Sequence, residues 1–215
     1  MTISAARNGE RAESRPPVVS RTGPRRSESA RLAVLHAADD LLVERGFDGV
    51  TMEGIAARAG VAKQTIYRWW KSKVDILLDT IADDAPEALA WQTGTGTPQE
   101  ELKRHLARVA EFLSSPAGQV LQALLGHAQL DSQTAQKLRD GFLSEQRERD
   151  AAGLRALLER HTGREFDVPT AERLLDLLLG PLYYQRLTFG QAGDPDFTDT
   201  VAGLVLDLAA RSSRD

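Results

Sequence analysis

Between Thr51 and Lys73 the chain gathers side chains suited to reading and holding a polyanion. Five bases, Arg58, Lys63, Arg68, Lys71 and Lys73, stand against one acid, Glu53. Gln64 can donate and accept together, which matches the edge of adenine, and Arg68 offers paired donors for the two acceptors of guanine. Lys63, Thr65 and Tyr67 add further polar groups on the same short stretch. The excess of base is local: residues 1–80 carry a net +3 and the remainder −7, giving −4 for the 215-residue chain. A basic patch on an acidic body suits a protein that orients itself on phosphate at chosen sites. The acidic total argues against a non-selective nucleic-acid coat.

Other chemistries are poorly supplied. The chain has no cysteine, which excludes disulfides, thiolate metal sites and cysteine nucleophiles and fits a reducing, cytoplasmic location. There is no nucleotide-binding glycine loop, no HExxH and no serine-nucleophile motif. Gly94-Thr95-Gly96 lacks the strand-to-helix setting of a phosphate loop. His36, Asp39 and Asp40 have helical spacing for a metal, but they flank a core stripe and read as a solvated edge. We expect no cofactor, no metal and no catalysis. Two rival readings remain, a helical protein-interaction adaptor and a small helical enzyme. Salt-dependent duplex binding separates the first from a DNA reader, and a turnover assay the second.

The elements that position the polar stretch follow from its apolar spacing. Val34, Ala37, Ala38, Leu41 and Leu42 fall at i, i+3, i+4, i+7 and i+8, so residues 29 to about 45 form a helix that Gly46 can stop. Thr51 is a good N-cap. Val50 and Ile55 have the spacing of a hydrophobic staple, which Val61 and Ile66 repeat after a break at Ala59-Gly60-Val61. Two short helices around a glycine-containing turn describe a helix-turn-helix over residues 51–70. Ile66 and Trp70 share the buried face of the second helix, leaving Lys63, Gln64, Thr65, Tyr67 and Arg68 free to enter a major groove.

The stretch Thr51 to Lys73, with the preceding Arg45-Gly46-Phe47 ending, resembles the DNA-binding signature of the TetR family of transcriptional regulators. The resemblance runs from about Ser29 to Ile81. It implies an N-terminal three-helix DNA-binding domain on a larger helical domain that dimerises and binds an effector. It also implies that Thr51, Tyr67 and Lys73 hold phosphates, with Trp69 beside them. Such contacts fix register without reading sequence. One position departs from the family: a small hydroxyl residue commonly stands where this chain has Ala62, which can neither cap the recognition helix nor touch phosphate.

The whole chain reads as all-α, with about nine helices. Residues 1–27 form an Arg-rich tail without apolar period and are expected to be disordered, 28–74 the DNA-binding domain, and 75–215 the effector and dimerisation domain. A further helix starts at Ser72, with Val74, Leu77, Leu78 and Ile81 inward. Later breaks are expected near Ser115-Pro116, Leu130-Asp131, His161-Thr162-Gly163 and Gly190 to Pro195. The segment from Leu174 to Phe189 is apolar almost all round and interrupted at Gly180-Pro181. The last helix has a stripe of Val201, Leu204, Val205 and Leu208. In proteins the chain resembles, the last two helices pair with their copies, so a homodimer on a palindromic operator in double-stranded DNA is expected. A pocket for a small, mainly apolar effector is expected between helices. Its candidate lining is Phe112, His127, Tyr183 and Tyr184, with His105 and Arg149 as polar ends. No stretch nears the roughly 18–20 apolar residues that span a bilayer, and no secretory leader is recognisable.

Overall fold

A computed structural model describes residues 24–92, 94, 96–191 and 193–211. The tail expected over residues 1–27 thus falls mostly outside the described residues, although its last four residues open the first helix.

Helix α1 spans Pro24–Gly49, beginning before the expected Ser29. Its inward stripe is the one anticipated, Val34, Ala37, Ala38, Leu41 and Leu42, joined by Leu35. Gly46 breaks the helical path with φ 68° and ψ 175°, so Phe47 is turned back toward the body of the protein. The left-handed region suits glycine, which has no Cβ to clash there.

Helix α2 (Met52–Ala59) is capped by Thr51, whose hydroxyl accepts the Gly54 N–H at 3.0 Å. Gly60, at φ 66°, closes its end. Helix α3 (Lys63–Trp69) begins at Ala62 with no side-chain cap, as the departure at that position implies. Helix α4 (Lys73–Ala88) restarts at Ser72, whose hydroxyl accepts the Asp75 N–H. It packs on α1 and continues into the larger part of the molecule, so a single rod joins the two.

The larger part contains α5 (Pro98–Ser114), α6 (Pro116–Ala128), α7 (Ser132–Leu138), α8 (Ser144–Thr162), α9 (Val168–Phe189) and α10 (Pro195–Arg211). Helices α7 and α8 are not separated. A π-helical turn, Arg139–Leu143, joins them with helical backbone angles on both sides. Counting that rod once, the described residues form nine helices, with no strand among them. The breaks at Ser115, Asp131, Gly163 and Gly190 fall where glycine, proline and capping residues put them. No helix of the described residues is long and apolar enough to cross a membrane.

One expected break is absent. Helix α9 runs through Gly180-Pro181, although Pro181 has no N–H for the carbonyl four residues earlier. Leu178 and Leu182, on either side, are both buried in the core, and that packing holds the helix together.

Helices α5 and α6 meet at a corner that requires glycine. A Cβ on Gly118 would lie 1.9 Å from the Phe112 carbonyl oxygen and 2.6 Å from the Leu113 Cα. Both are backbone atoms and cannot swing aside. Gly118→Ala should therefore force the corner apart and cost about 1–3 kcal/mol. A thermal melt checks this, with Gly126→Ala, where nothing lies within 4 Å and alanine should gain about 0.5–1 kcal/mol of helix propensity, as the unhindered comparison.

Candidate nucleic-acid interface

Helix α3 has only seven residues, and one face holds it in place. Ile66 is fully buried and Trp70, at the helix end, nearly so. The Trp70 indole donates to Asp79 on α4 at 2.7 Å. The opposite face presents Lys63, Gln64, Tyr67 and Arg68 to solvent, with Thr65 half-buried at its edge. This is the row that the Ile66/Trp70 spacing predicts, and it is wide enough to enter a major groove. Thr51, also exposed, lies at the start of α2 with its hydroxyl committed to the cap.

Two acids organise the bases. Glu53, in the first turn of α2, accepts from the Tyr67 hydroxyl at 3.0 Å and lies 4.0 Å from the Lys63 ammonium. The hydrogen bonds it accepts, from its own backbone N–H and from Tyr67, lower its pKa, and the same carboxylate raises that of the Tyr67 phenol. Glu53 is thus a positioning residue that sequence reasoning counted only as one acid among bases. Its place three residues before Ala56, across the turn from α3, was the available signal. Glu44 on α1 takes Arg58 in a two-pronged pair, both contacts at 2.6 Å. That pair removes Arg58 from the open patch.

Lys73 differs from its expected role as a free charge. Its ammonium donates to the Phe47 carbonyl at 2.6 Å and sits 4.1 Å from the centre of the Phe47 ring. Burial lowers its pKa. Two of its three donors remain for a phosphate. Lys71 beside it is exposed; from sequence it counts among the five bases but is given no contact of its own. Trp69 is half-buried, edge-on to Trp70 with ring centres 5.4 Å apart, and lines a cleft with Ser27, Arg31 and Asp79. Arg68 reaches back over its ring at 5.6 Å.

Besides the packing of α6 against α1 and α4, two specific side-chain contacts tie the head to the body. The Phe47 ring lies tilted at 31° against His127 at the end of α6, with centres 4.2 Å apart, so Lys73, Phe47 and His127 form one column. Lys137 on α7 donates to Asp75 at 2.6 Å, while the other Asp75 oxygen accepts from Ser72 Oγ and the Lys71 N–H.

The four pocket candidates do not converge. His127 belongs to the column just described. Phe112 is a core residue at the rim of a crevice formed with Asp39, Asp84, Glu87 and Arg108. Tyr183 lines a different cavity, between α8, the π turn and α9. Tyr184 is 61% exposed and edge-on to Phe189. Adjacent helical residues point about 100° apart, so the pair could not both face inward. His105 is buried beneath Trp91 and lies close to the Tyr183 cavity, whereas Arg149 bonds to Glu145 and Gln146. Asp39 also departs from expectation: His36 and Asp40 are exposed, but Asp39 is buried.

The fold and the exposed row on α3 define a helix-turn-helix protein. Residues 34–80 match the family described as bacterial regulatory proteins, tetR family, and residues 93–205 match the tetracyclin repressor-like C-terminal domain. The HTH-type transcriptional regulator YdeS of Bacillus subtilis is 33% identical over 198 residues, covering 91% of this chain and 98% of that protein. The regulator Rv1556 of Mycobacterium tuberculosis is 27% identical over 90% of each chain. The crystal structure of the TetR family transcription regulator SCO0332 is 31% identical and superposes with a TM-score of 0.66, covering 83% of this chain and 97% of that one. The chain belongs to the TetR family of DNA-binding transcriptional regulators.

The crevice acid gives a test of burial. Desolvation, with Asp84 and Asp40 nearby, pushes the Asp39 carboxyl from an ordinary 3.8 up to about 7. A raised carboxyl pKa stabilises the fold fully below about pH 4, and that contribution is lost as pH rises through about 7. Asparagine stays neutral throughout. The melting-temperature gain of Asp39→Asn over the native chain should therefore be larger at pH 8 than at pH 5. An equal gain at both would show that Asp39 is not titrating there.

Proposed function

We propose that two copies of this chain grip a near-palindromic operator as a repressor, and that a small molecule in the helical body releases it. The observation that carries DNA reading is the open row of Lys63, Gln64, Tyr67 and Arg68 opposite the buried Ile66. Gln64, near the start of α3, is the base reader, and Lys63, Thr65 and Arg68 flank it. Thr51, Tyr67, Lys73 and Lys71 meet phosphate, with Trp69 as a half-buried support.

Dimerisation rests on the last two helices. Each buries one side and leaves the other bare: Leu177, Tyr184, Leu187 and Phe189 on α9, and Leu204 and Leu208 on α10, are all exposed. Leu177, Pro181, Leu204 and Leu208 also line an apolar trough between the helices. A surface of that kind calls for a second copy. Two-fold symmetry then sets the recognition helices in successive major grooves, about 34–36 Å apart.

Release follows from the two ties between head and body. A ligand that moves α6 or α7 acts on Phe47 or Asp75, and through them on the start of α4 and the end of α3. If it favours a spacing that DNA does not, DNA weakens ligand binding by the same factor.

Three outcomes are expected. Gln64→Ala should cost about 1–3 kcal/mol on a selected operator and relax preference at one or two base pairs. Lys73→Ala should weaken operator and random duplex about equally and lower the salt slope by about one per subunit. It should also lower the melting temperature, because the Phe47 carbonyl loses its donor. Binding isotherms on both duplexes across a salt series decide this, and swapped behaviour of the two variants would mean that α3 is wrongly placed on DNA. Leu204→Glu should turn a light-scattering dimer into a monomer with unchanged helicity and much weaker operator binding.

A further inference from the structure

The cavity bounded by α8, the π turn and α9 has a volume of about 490 Å³. Phe142, Leu143, Leu175, Leu179 and Tyr183 give it an apolar surface. Its polar end is a carboxylate, Asp150, only 6% exposed. The Trp91 indole donates to Oδ1 at 3.1 Å, and the Gln146 amide donates to Oδ2 at 3.1 Å. Both donors are neutral.

No cation completes the site among the described residues. His105 Nε2 lies 3.7 Å from Oδ1, too far for a hydrogen bond, and neither ring nitrogen of His105 has a partner. Its ring is stacked on Trp91 at 3.8 Å, and burial pushes its pKa down to about 4, so near neutral pH it is uncharged. Burial raises the pKa of Asp150, and Arg149, which lowers it through space, makes its own bonds to Glu145 and the Gln146 oxygen. Arg147, at the solvent edge of the cavity, is paired with Asp176. A buried carboxylate without a counter-charge is costly in an apolar wall, and a cation arriving in the cavity removes that cost.

We infer that this cavity takes a protonated amine carried on an apolar or aromatic body, with Asp150 as its counter-ion. Each carboxylate oxygen keeps a lone pair beyond the bond it already accepts, so an ammonium can bind without displacing Trp91 or Gln146. Tyr183 offers a ring to the same cation. The inference rests on the effector-controlled reading above and narrows the effector from an apolar compound to a cationic one. The site is also placed to matter. Phe142 and Leu143 belong to the π turn that follows Lys137, and Lys137 holds Asp75 at the start of α4.

The test uses three compounds with one body and different heads: 4-phenylbutylamine, 4-phenylbutan-1-ol and 4-phenylbutyrate, each titrated into the full chain by calorimetry. The amine should bind at least about tenfold more tightly than the alcohol or the acid, as expected for a charged hydrogen bond in a buried site. Asp150→Asn should bring amine and alcohol to similar affinity, and Leu179→Trp, which fills the cavity, should weaken all three. If Asp150→Asn does not fold, the order of affinities on the native chain and the loss in Leu179→Trp decide. Equal binding of amine and alcohol by the native chain, an amine preference that survives Asp150→Asn, or no binding of any compound would each overturn the inference. A separate operator-binding assay tells this failure from failure of the wider reading. If the amine binds as expected but operator affinity is unchanged, the site stands and effector control does not.

Discussion

The second helix of the helix-turn-helix depends on the burial of two side chains, Ile66 and Trp70. Helix α3 has seven residues and no side-chain cap. A helix that short does not hold in water by its own hydrogen bonds, because nucleation is costly and few bonds follow it. Its geometry is therefore borrowed. Ile66 is fully buried, Trp70 adds an indole bond to Asp79, and the Val61 staple fixes the entry of the chain. The absence of a cap at Ala62, a loss of about 0.5–2 kcal/mol relative to a hydroxyl residue, is tolerable only because that packing is tight. The outer row carries little of the packing, apart from Tyr67, whose hydroxyl bonds to Glu53 on α2.

The same dependence makes the head answerable to the body. Trp70 is held by α4, and α4 is one rod running from the end of the recognition helix into the larger domain. Its first turn is gripped from α7 by Lys137 and, through Phe47, from α6 by His127. These contacts sit beside the broader packing of α6 on α1 and α4. They are single polar or aromatic pairs, each worth little by itself and each sensitive to a small displacement. A ligand can shift such an arrangement only by its difference in affinity between two body conformations.

Features that depend on neighbours in sequence were legible, and those that depend on distant approach were not. The α1 stripe, both staples, the Thr51 cap, the uncapped Ala62 and four of the expected helix breaks follow from spacing within a turn or two. Fold class and the exposed row on α3 come from the same local rules. The bond from Lys73 to the Phe47 carbonyl spans 26 residues and follows from the turn that Gly46 imposes. The continuation of α9 through Pro181 is set by Leu178 and Leu182 packing on other helices, which overrides a local preference. Asp39 looked like a solvated edge because its neighbours His36 and Asp40 are; only the packing of α1 against the body buries it. Tyr183 and Tyr184 are adjacent and chemically alike, and only the partner helices decide that one lines a cavity while the other faces outward.

Two buried acids remain that packing alone does not explain, and α5 connects them. His105 and Arg108 stand one turn apart on that helix. His105 faces Asp150, and Arg108 lines the crevice with Asp39. In both places the match is incomplete: His105 is too far from Asp150 to bond and is uncharged, while Asp39 Oδ1 and Arg108 Nε are buried without partners. Buried polar groups are normally satisfied, and apolar side chains of the same size would make a more stable body. The free protein therefore carries a local energetic cost on both sides of α5. A ligand that satisfies one of these acids recovers part of that cost only in the conformation that admits it. Such differential stabilisation is what a single bound charge needs to bias the larger domain between two arrangements.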